Sequence, residues 1–208
     1  MPFRETRSSL SQPGVGPLGD RRHTPVEWVF MASRLTRSER RRRSETARFA
    51  GHQDGLGLNV GSGSFVLHQQ RLVCLDINRA LRPTVVASAI HLPFRSSIFD
   101  YVLCFEVLEH IDDRQALREI GRVLKPGGRF VGSFPNLLRH LVGVRYLLRT
   151  RWSYMDPGHK REYVLEQVVR CMAEAGLEIR RLGWIKSSRL LLNSLAEYFL
   201  VEATSRAP

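Results

Sequence analysis

The chain has 208 residues, enough for one sizeable hydrophobic core and marginal for two. Its hydrophobic fraction of 43% and charged fraction of 25% are those of ordinary globular proteins, and no stretch approaches the ~18 uninterrupted apolar residues of a membrane span. The formal charge of +12 is unevenly placed, because residues 1–50 hold eleven Arg against five acids, a net of +6. Cys74, Cys104 and Cys171 are too few and too scattered for a disulfide framework or a zinc site, so no metal is expected. Two of them sit in apolar runs, which suits small buried side chains in a reducing compartment. The start, MPFRETRSSL, lacks the apolar core of a secretory signal, and a cytoplasmic location is the expectation.

Residues 8–25 are rich in Ser, Pro and Gly and have few large apolar groups to order them. Thr24 can then cap a helix with Pro25 at its first position, where a missing N–H costs nothing. Trp28, Val29, Met31, Ala32 and Leu35 form one apolar stripe leading into the run Arg40–Arg43. Residues 1–50 therefore read as a basic arm with one helix, packed by its Trp face. The sharper reading is an RNA or anionic-membrane contact through the arginines.

Residues 51–208 read as one domain of alternating strands and helices. The strand candidates are Leu56–Val60, Leu72–Ile77, Val85–Ala89, Tyr101–Phe105 and Arg129–Phe134, with Glu178–Trp184 and Tyr198–Ala203 completing the sheet. Several are nearly continuous apolar runs, as parallel strands covered on both faces should be. Helices are expected over Asp113–Leu124 and Leu165–Ala175, with Gly127-Gly128 and Gly176 where they should stop. The alternation predicts a doubly wound α/β sheet with its ligand at the carboxyl ends of the strands. Only eleven residues, Gly61 to Arg71, link the first two strands, so the first crossover helix must be shortened to a turn or two.

Chemistry concentrates at those strand ends. Leu58-Asn-Val-Gly61-Ser-Gly63 runs an apolar strand into a Gly-x-Gly turn, which lets backbone lie close against a ligand. Asp76 ends the next strand, in Val73-Cys-Leu-Asp-Ile77, and its carboxylate is placed to accept hydrogen bonds from both hydroxyls of a ribose. A nicotinamide dinucleotide enzyme would want Gly-x-Gly-x-x-Gly, but Val66 stands at the third position.

Four further segments follow: Ala87-Ser-Ala-Ile-His-Leu-Pro-Phe94, Ser97-Ile-Phe-Asp100, Val107-Leu-Glu-His110 and Arg122-Val-Leu-Lys-Pro-Gly-Gly128. With the glycine turn and Asp76 they resemble, in order and spacing, the class I S-adenosylmethionine-dependent methyltransferases, in particular the methyltransferase type 11 group. The resemblance covers about residues 56–135. It implies a mostly parallel Rossmann-like sheet whose last strand is antiparallel, and S-adenosylmethionine as cofactor. It further implies that Asn59, Gly61, Ser62 and Gly63 approach the methionine part of the cofactor and that Asp76 lies at its ribose, with Ile77 also a cofactor-binding position. Ser88 and Ala89 would then sit at the adenine, and Phe105 and Glu106 at the methionine end. The group often carries an acid where Asn59 stands, a third glycine where Phe65 stands and an Asp where Ser88 stands.

Methyl transfer from a sulfonium needs an in-line nucleophile, and a base only when the acceptor must lose a proton. The candidates are His110, after the fourth strand, and His159, in the group's His-x-Arg-x-aromatic segment. The apolar, Arg-punctuated stretch 137–149 reads as a helix over the sheet edge or a cover for a lipid-linked acceptor. The acceptor is expected to be a small molecule, lipid or glycan. RNA bound by the arm and a non-catalytic binding module are the alternatives. No aromatic-plus-polar base-flipping segment follows the fourth strand, which disfavours base methylation.

Overall fold

A computed structural model describes residues 37–64, 67, 69, 71–138, 160–186 and 196–206. The apolar stripe before Arg37, the stretch 139–149 and His159 lie outside them. Helix α1 (Arg37–Ala50) comes first, followed by strands β1 (Gly57–Val60), β2 (Leu72–Asp76), β3 (Val85–Val86) and β4 (Phe99–Cys104). Helix α2 (Asp113–Val123) leads directly into β5 (Leu124–Pro135), and α3 (Leu165–Glu174), β6 (Leu177–Ile185) and β7 (Tyr198–Ser205) complete the order. Short 3-10 turns occupy Arg79–Leu81 and Leu108–His110. Among the described residues, no helix lies between β1 and β2 and none is long and apolar enough to cross a membrane.

The seven strands form one sheet in the order β3-β2-β1-β4-β5-β7-β6. Strands β1 to β5 pair in parallel, and β7 runs antiparallel between β5 and β6. The register sets Val60 beside Leu75 on one side and Cys104 on the other, so three strand tips end level. Strand β4 shows the two-residue alternation of a strand covered twice. Val102 and Cys104 join the core beneath α2 and α3, whereas Tyr101 and Leu103 join Ala50 on the α1 side.

Helix α2 forms because Ala116, Leu117, Ile120 and Val123 recur at helical spacing, and all four are fully buried. Asp112 caps its start by accepting the Gln115 N–H at 3.0 Å. It ends at Val123, short of the glycines, because Pro126 disfavours helical backbone at Lys125 and pushes the chain into β5. Gly127, at φ +76°, instead bends the first part of β5. Gly176, at φ +72°, does follow α3 as expected.

Two polar clamps tie the loops to this frame. Asp100 at the start of β4 accepts the Leu56 N–H at 2.8 Å and the Lys125 ammonium at 2.7 Å. Arg122 of α2 donates to the carbonyls of Phe94 (2.8 Å) and Leu92 (3.0 Å), and Glu119 holds the guanidinium at 2.7 and 2.8 Å. Helix α1 is held from the far edge of the sheet, where the Arg181 guanidinium lies 4.1 Å from the centre of the Phe49 ring.

Helices α2 and α3 cross at Gly121, where a Cβ would stand 2.6 Å from the Ala175 carbonyl oxygen. Backbone cannot step aside as a side-chain end can. In Gly121→Ala, overpacking of about 1–3 kcal/mol should therefore outweigh the gain of up to about 1 kcal/mol in helix propensity. Urea denaturation should show a lowered midpoint with an unchanged slope. Hydrogen bonding to Arg122 holds the Glu119 carboxyl below the usual carboxylate range, helped by the Leu92 N–H. A depressed folded pKa stabilises above the unfolded value and loses that contribution as pH falls through the folded one. Glu119→Gln should thus cost about 1–3 kcal/mol at neutral pH. The gap to the wild type should narrow below about pH 4, as denaturation at both pH values would reveal.

Candidate active site

The direction of chain progression reverses between β1 and β4, the place where open α/β sheets hold their ligands. Strand β1 ends in Gly61, at φ +64°, where an added Cβ would lie 2.3 Å from Val107 Cγ2. At Gly63, φ +52°, a Cβ would meet, among the described residues, the Gly61 carbonyl at an unstrained 3.9 Å. The turn between them is fastened to β2. Ser62 N–H donates to the Leu75 carbonyl at 3.0 Å, and Gly63 N–H to Asp76 Oδ2 at 2.9 Å. Asp76 Oδ1 accepts the Asn78 N–H at 2.8 Å. The buried Asp76 is thereby fixed in orientation, while each oxygen keeps a lone pair for a hydroxyl.

The tip of β4 forms the opposite wall. Glu106 sits at φ +56°, a conformation costing a non-glycine residue about 1–2 kcal/mol, and its N–H donates to Ser133 Oγ on β5 at 2.9 Å. Its carboxylate meets Arg42 Nε of α1 at 2.8 Å. Burial pushes the Glu106 carboxyl up, against the pull of Arg42, Arg43 and His110. Arg42 in turn lies 5.4 Å from the Tyr198 ring centre and 3.4 Å from its hydroxyl.

Between these walls is a cavity of about 240 Å³. Asn59, Gly61, Ser62, Gly63, Phe105 and Glu106 line it, all of them candidates from the sequence. Asp76 adjoins it through the Gly63 amide. Ile77, three-quarters exposed, and Ser88 and Ala89 lie away from this cavity. They stand at the tips of β2 and β3, which Ala87 N–H joins by donating to the Asp76 carbonyl at 3.2 Å. Reading the sequence missed the remaining wall, made by Glu39, Arg42, Arg43 and Thr46 of α1. Their spacing, i, i+3, i+4 and i+7, puts them on one helix face, and that periodicity was the available signal.

His110 closes the 3-10 turn after β4, and its charge acts on both Glu106 and the buried Glu109, whose carboxyl burial pushes well above the usual range. Lys160 N–H donates to the Glu109 carbonyl at 2.7 Å, so the chain re-enters beside this turn. Arg161 and Tyr163 of the His-x-Arg-x-aromatic segment both bind Asp113, at 2.9 Å each, at the start of α2. That segment is thus anchored where the β4 loop ends.

A bare turn, a carboxylate with both oxygens fixed in orientation and a cavity lined by both signs of charge suit a nucleoside with a zwitterionic tail, as S-adenosylmethionine has. Comparison with known proteins agrees. A family model described as a methyltransferase domain matches residues 56–132. A probable S-adenosylmethionine-dependent methyltransferase of Mycolicibacterium smegmatis is 34% identical over 136 residues, 60% of this chain and 50% of that protein. The ubiquinone/menaquinone biosynthesis C-methyltransferase UbiE of Bartonella henselae is 47% identical over 74 residues, 34% of this chain and 26% of its own. The chain spans half or less of the length of these curated relatives. In fold it is similar to a possible histamine N-methyltransferase of Thermotoga maritima, with TM-score 0.64 and 19% identity over 86% of this chain and 97% of that one. It is also similar to the N-methyltransferase NodS of Bradyrhizobium japonicum in complex with S-adenosylhomocysteine, with TM-score 0.59 and 18% identity over 85% and 91%. The stretch that matches the methyltransferase-domain model, residues 56–132, is the one in which the sequence resembles the methyltransferase type 11 group.

Proposed function

We propose that the protein transfers a methyl group from S-adenosylmethionine to a small-molecule, lipid or glycan acceptor. The observation that carries this reading is the Gly61–Gly63 turn, locked to Asp76 at the point where the strand order reverses. When bound, the cofactor supplies an electrophilic methyl group on a sulfonium.

The protein's own residues bind and orient. Asp76 accepts two hydroxyls with oxygens already held by backbone amides, so little reorganisation accompanies binding. Gly61 and Gly63 admit the ligand against bare backbone, and Asn59 and Ser62 offer neutral polar atoms beneath it. Ile77, Ser88 and Ala89 form the adenine end, and Phe105 and Glu106 border the methionine end. His110 and His159 are the groups that take a proton where the acceptor must lose one.

The arm supports a small acceptor better than RNA. Within the run Arg40–Arg43, Arg41 pairs with Glu45 and Arg42 with Glu106, at 2.8 Å each, and Arg42 and Arg43 line the cavity. Arg42 and Arg43 therefore face the cavity rather than a phosphate backbone.

Calorimetric titration of the wild type should show binding of S-adenosylmethionine and S-adenosylhomocysteine. Asp76→Ala removes two charge-assisted hydrogen bonds and the anchor of the turn, and should weaken both by roughly 100-fold or more. No binding by the wild type would make this a binding module on a methyltransferase fold. RNA binding that falls steeply between about 50 and 200 mM salt would point to an RNA acceptor instead.

A further inference from the structure

We propose that Arg42 and Arg43 of α1 hold the carboxylate of the cofactor's amino-acid end while Glu106 receives its ammonium group, which makes a helix outside residues 56–132 part of the cofactor site. The proposal rests on reading the cavity as the S-adenosylmethionine site.

Three observations lead to it. The first is the supply of donors. Anions at a glycine turn are often held by backbone N–H groups, but here Ser62 N–H is bonded to the Leu75 carbonyl and Gly63 N–H to Asp76. With these two amides taken, a carboxylate in this cavity gains from charged donors outside the turn. The second is the distribution of charge. Among the described residues lining the cavity the cations are Arg42 and Arg43, both from α1, which also contributes Glu39. The strand-tip wall contributes Asn59, Ser62, Ser64 and a single acid, Glu106. Asn59 can accept from an ammonium group but cannot neutralise it; of the two lining acids, Glu39 shares α1 with the guanidinium groups, and Glu106 stands on the facing strand-tip wall, where the ammonium end would lie.

The third is pre-organisation. Arg42 is held by Glu106 at 2.8 Å and lies over Tyr198, and Arg43 Nη2 donates to Ser64 Oγ at 3.3 Å, beside the glycine turn. The Arg42–Glu106 pair is a cation and an anion side by side. A zwitterion entering there exchanges one ion pair for two, with its carboxylate toward the guanidinium groups and its ammonium toward Glu106. Charge is conserved in this exchange, and neither protein group is left without a counter-charge. A guanidinium fork also matches a carboxylate geometrically, as an ammonium does not.

The test uses two ligands that differ only in the group at issue, S-adenosylmethionine and its decarboxylated form, which keeps the adenosine, sulfonium and ammonium. Titration calorimetry gives an affinity ratio within each variant, so a general loss of folded protein cancels. The wild type should prefer the carboxylated ligand by roughly 30-fold. In Arg43→Gln that preference should fall by about 10-fold, mainly through weaker S-adenosylmethionine binding, and Arg43→Lys should recover part of it. Arg42→Gln should act in the same direction. Equal affinities for the two ligands in the wild type would overturn the proposal, and so would Arg→Gln variants that weaken both ligands alike. A wild type that binds neither ligand would overturn the underlying cofactor reading, and this proposal with it.

Discussion

The Cβ of any residue but glycine at position 61 would stand 2.3 Å from Val107, so β1 can end only in bare backbone. The site depends on that contact. Val107 belongs to the loop after β4, and its packing against Gly61 sets how far the β1 turn and the β4 tip stand apart. The turn left by Gly61 and Gly63 is too short to hold itself open, and Asp76 supplies the missing restraint from β2. One carboxylate thus orders the turn and, on the proposed function, would face the ribose. Shape and affinity at this site have the same physical origin.

The segments that resemble the type 11 group are joined in space as well as in order. Asp100, from the Phe-Asp strand start, holds Lys125 of the Leu-Lys-Pro-Gly-Gly segment and the amide of Leu56 just before β1. Arg122, at the head of that same segment, holds the Leu92 and Phe94 carbonyls of Leu-Pro-Phe. These are networks of charged groups bonded to backbone, in which removing one partner strands the others. They fix β1, β4 and α2 relative to one another. The strand tips therefore arrive level beneath the cavity without help from a full helix after β1.

The fold was legible wherever burial dictated the residue pattern. Strands covered on both faces read as apolar runs, and α2 announced itself through Ala116, Leu117, Ile120 and Val123. Legibility failed where tertiary contact decided. The glycines at 127 and 128 looked like a helix stop, but Pro126 had already ended α2 and Gly127 serves the bend of β5. The run Arg40–Arg43 looked like a solvated surface because four arginines in sequence carry no information about what faces them. In the folded chain Arg42 meets Glu106, 64 positions on, and Tyr198, 156 positions on. Nothing local in the sequence encodes either pairing. The strand-tip candidates were visible because glycine turns and strand-end acids are local signals, whereas the α1 wall is a long-range one.

Asn59 stands where the type 11 group often places an acid, and on the proposed assignment the missing charge is supplied from elsewhere in the cavity. The strand floor is neutral at Asn59, and the charges of the cavity come from Glu106 at the β4 tip and from α1. Charge delivered from a helix differs physically from charge built into a strand, because it depends on the helix staying docked. Docking here uses Ala50 in the core, Arg181 against Phe49 and Arg42 against Tyr198. A ligand that binds only the docked form stabilises it by RT ln(1 + [L]/Kd), about 2.7 kcal/mol at a hundredfold excess over Kd. On the proposed assignment, occupancy of the cofactor cavity and attachment of α1 are therefore one equilibrium. The fold can then forgo the acid at residue 59 without forgoing a charged site.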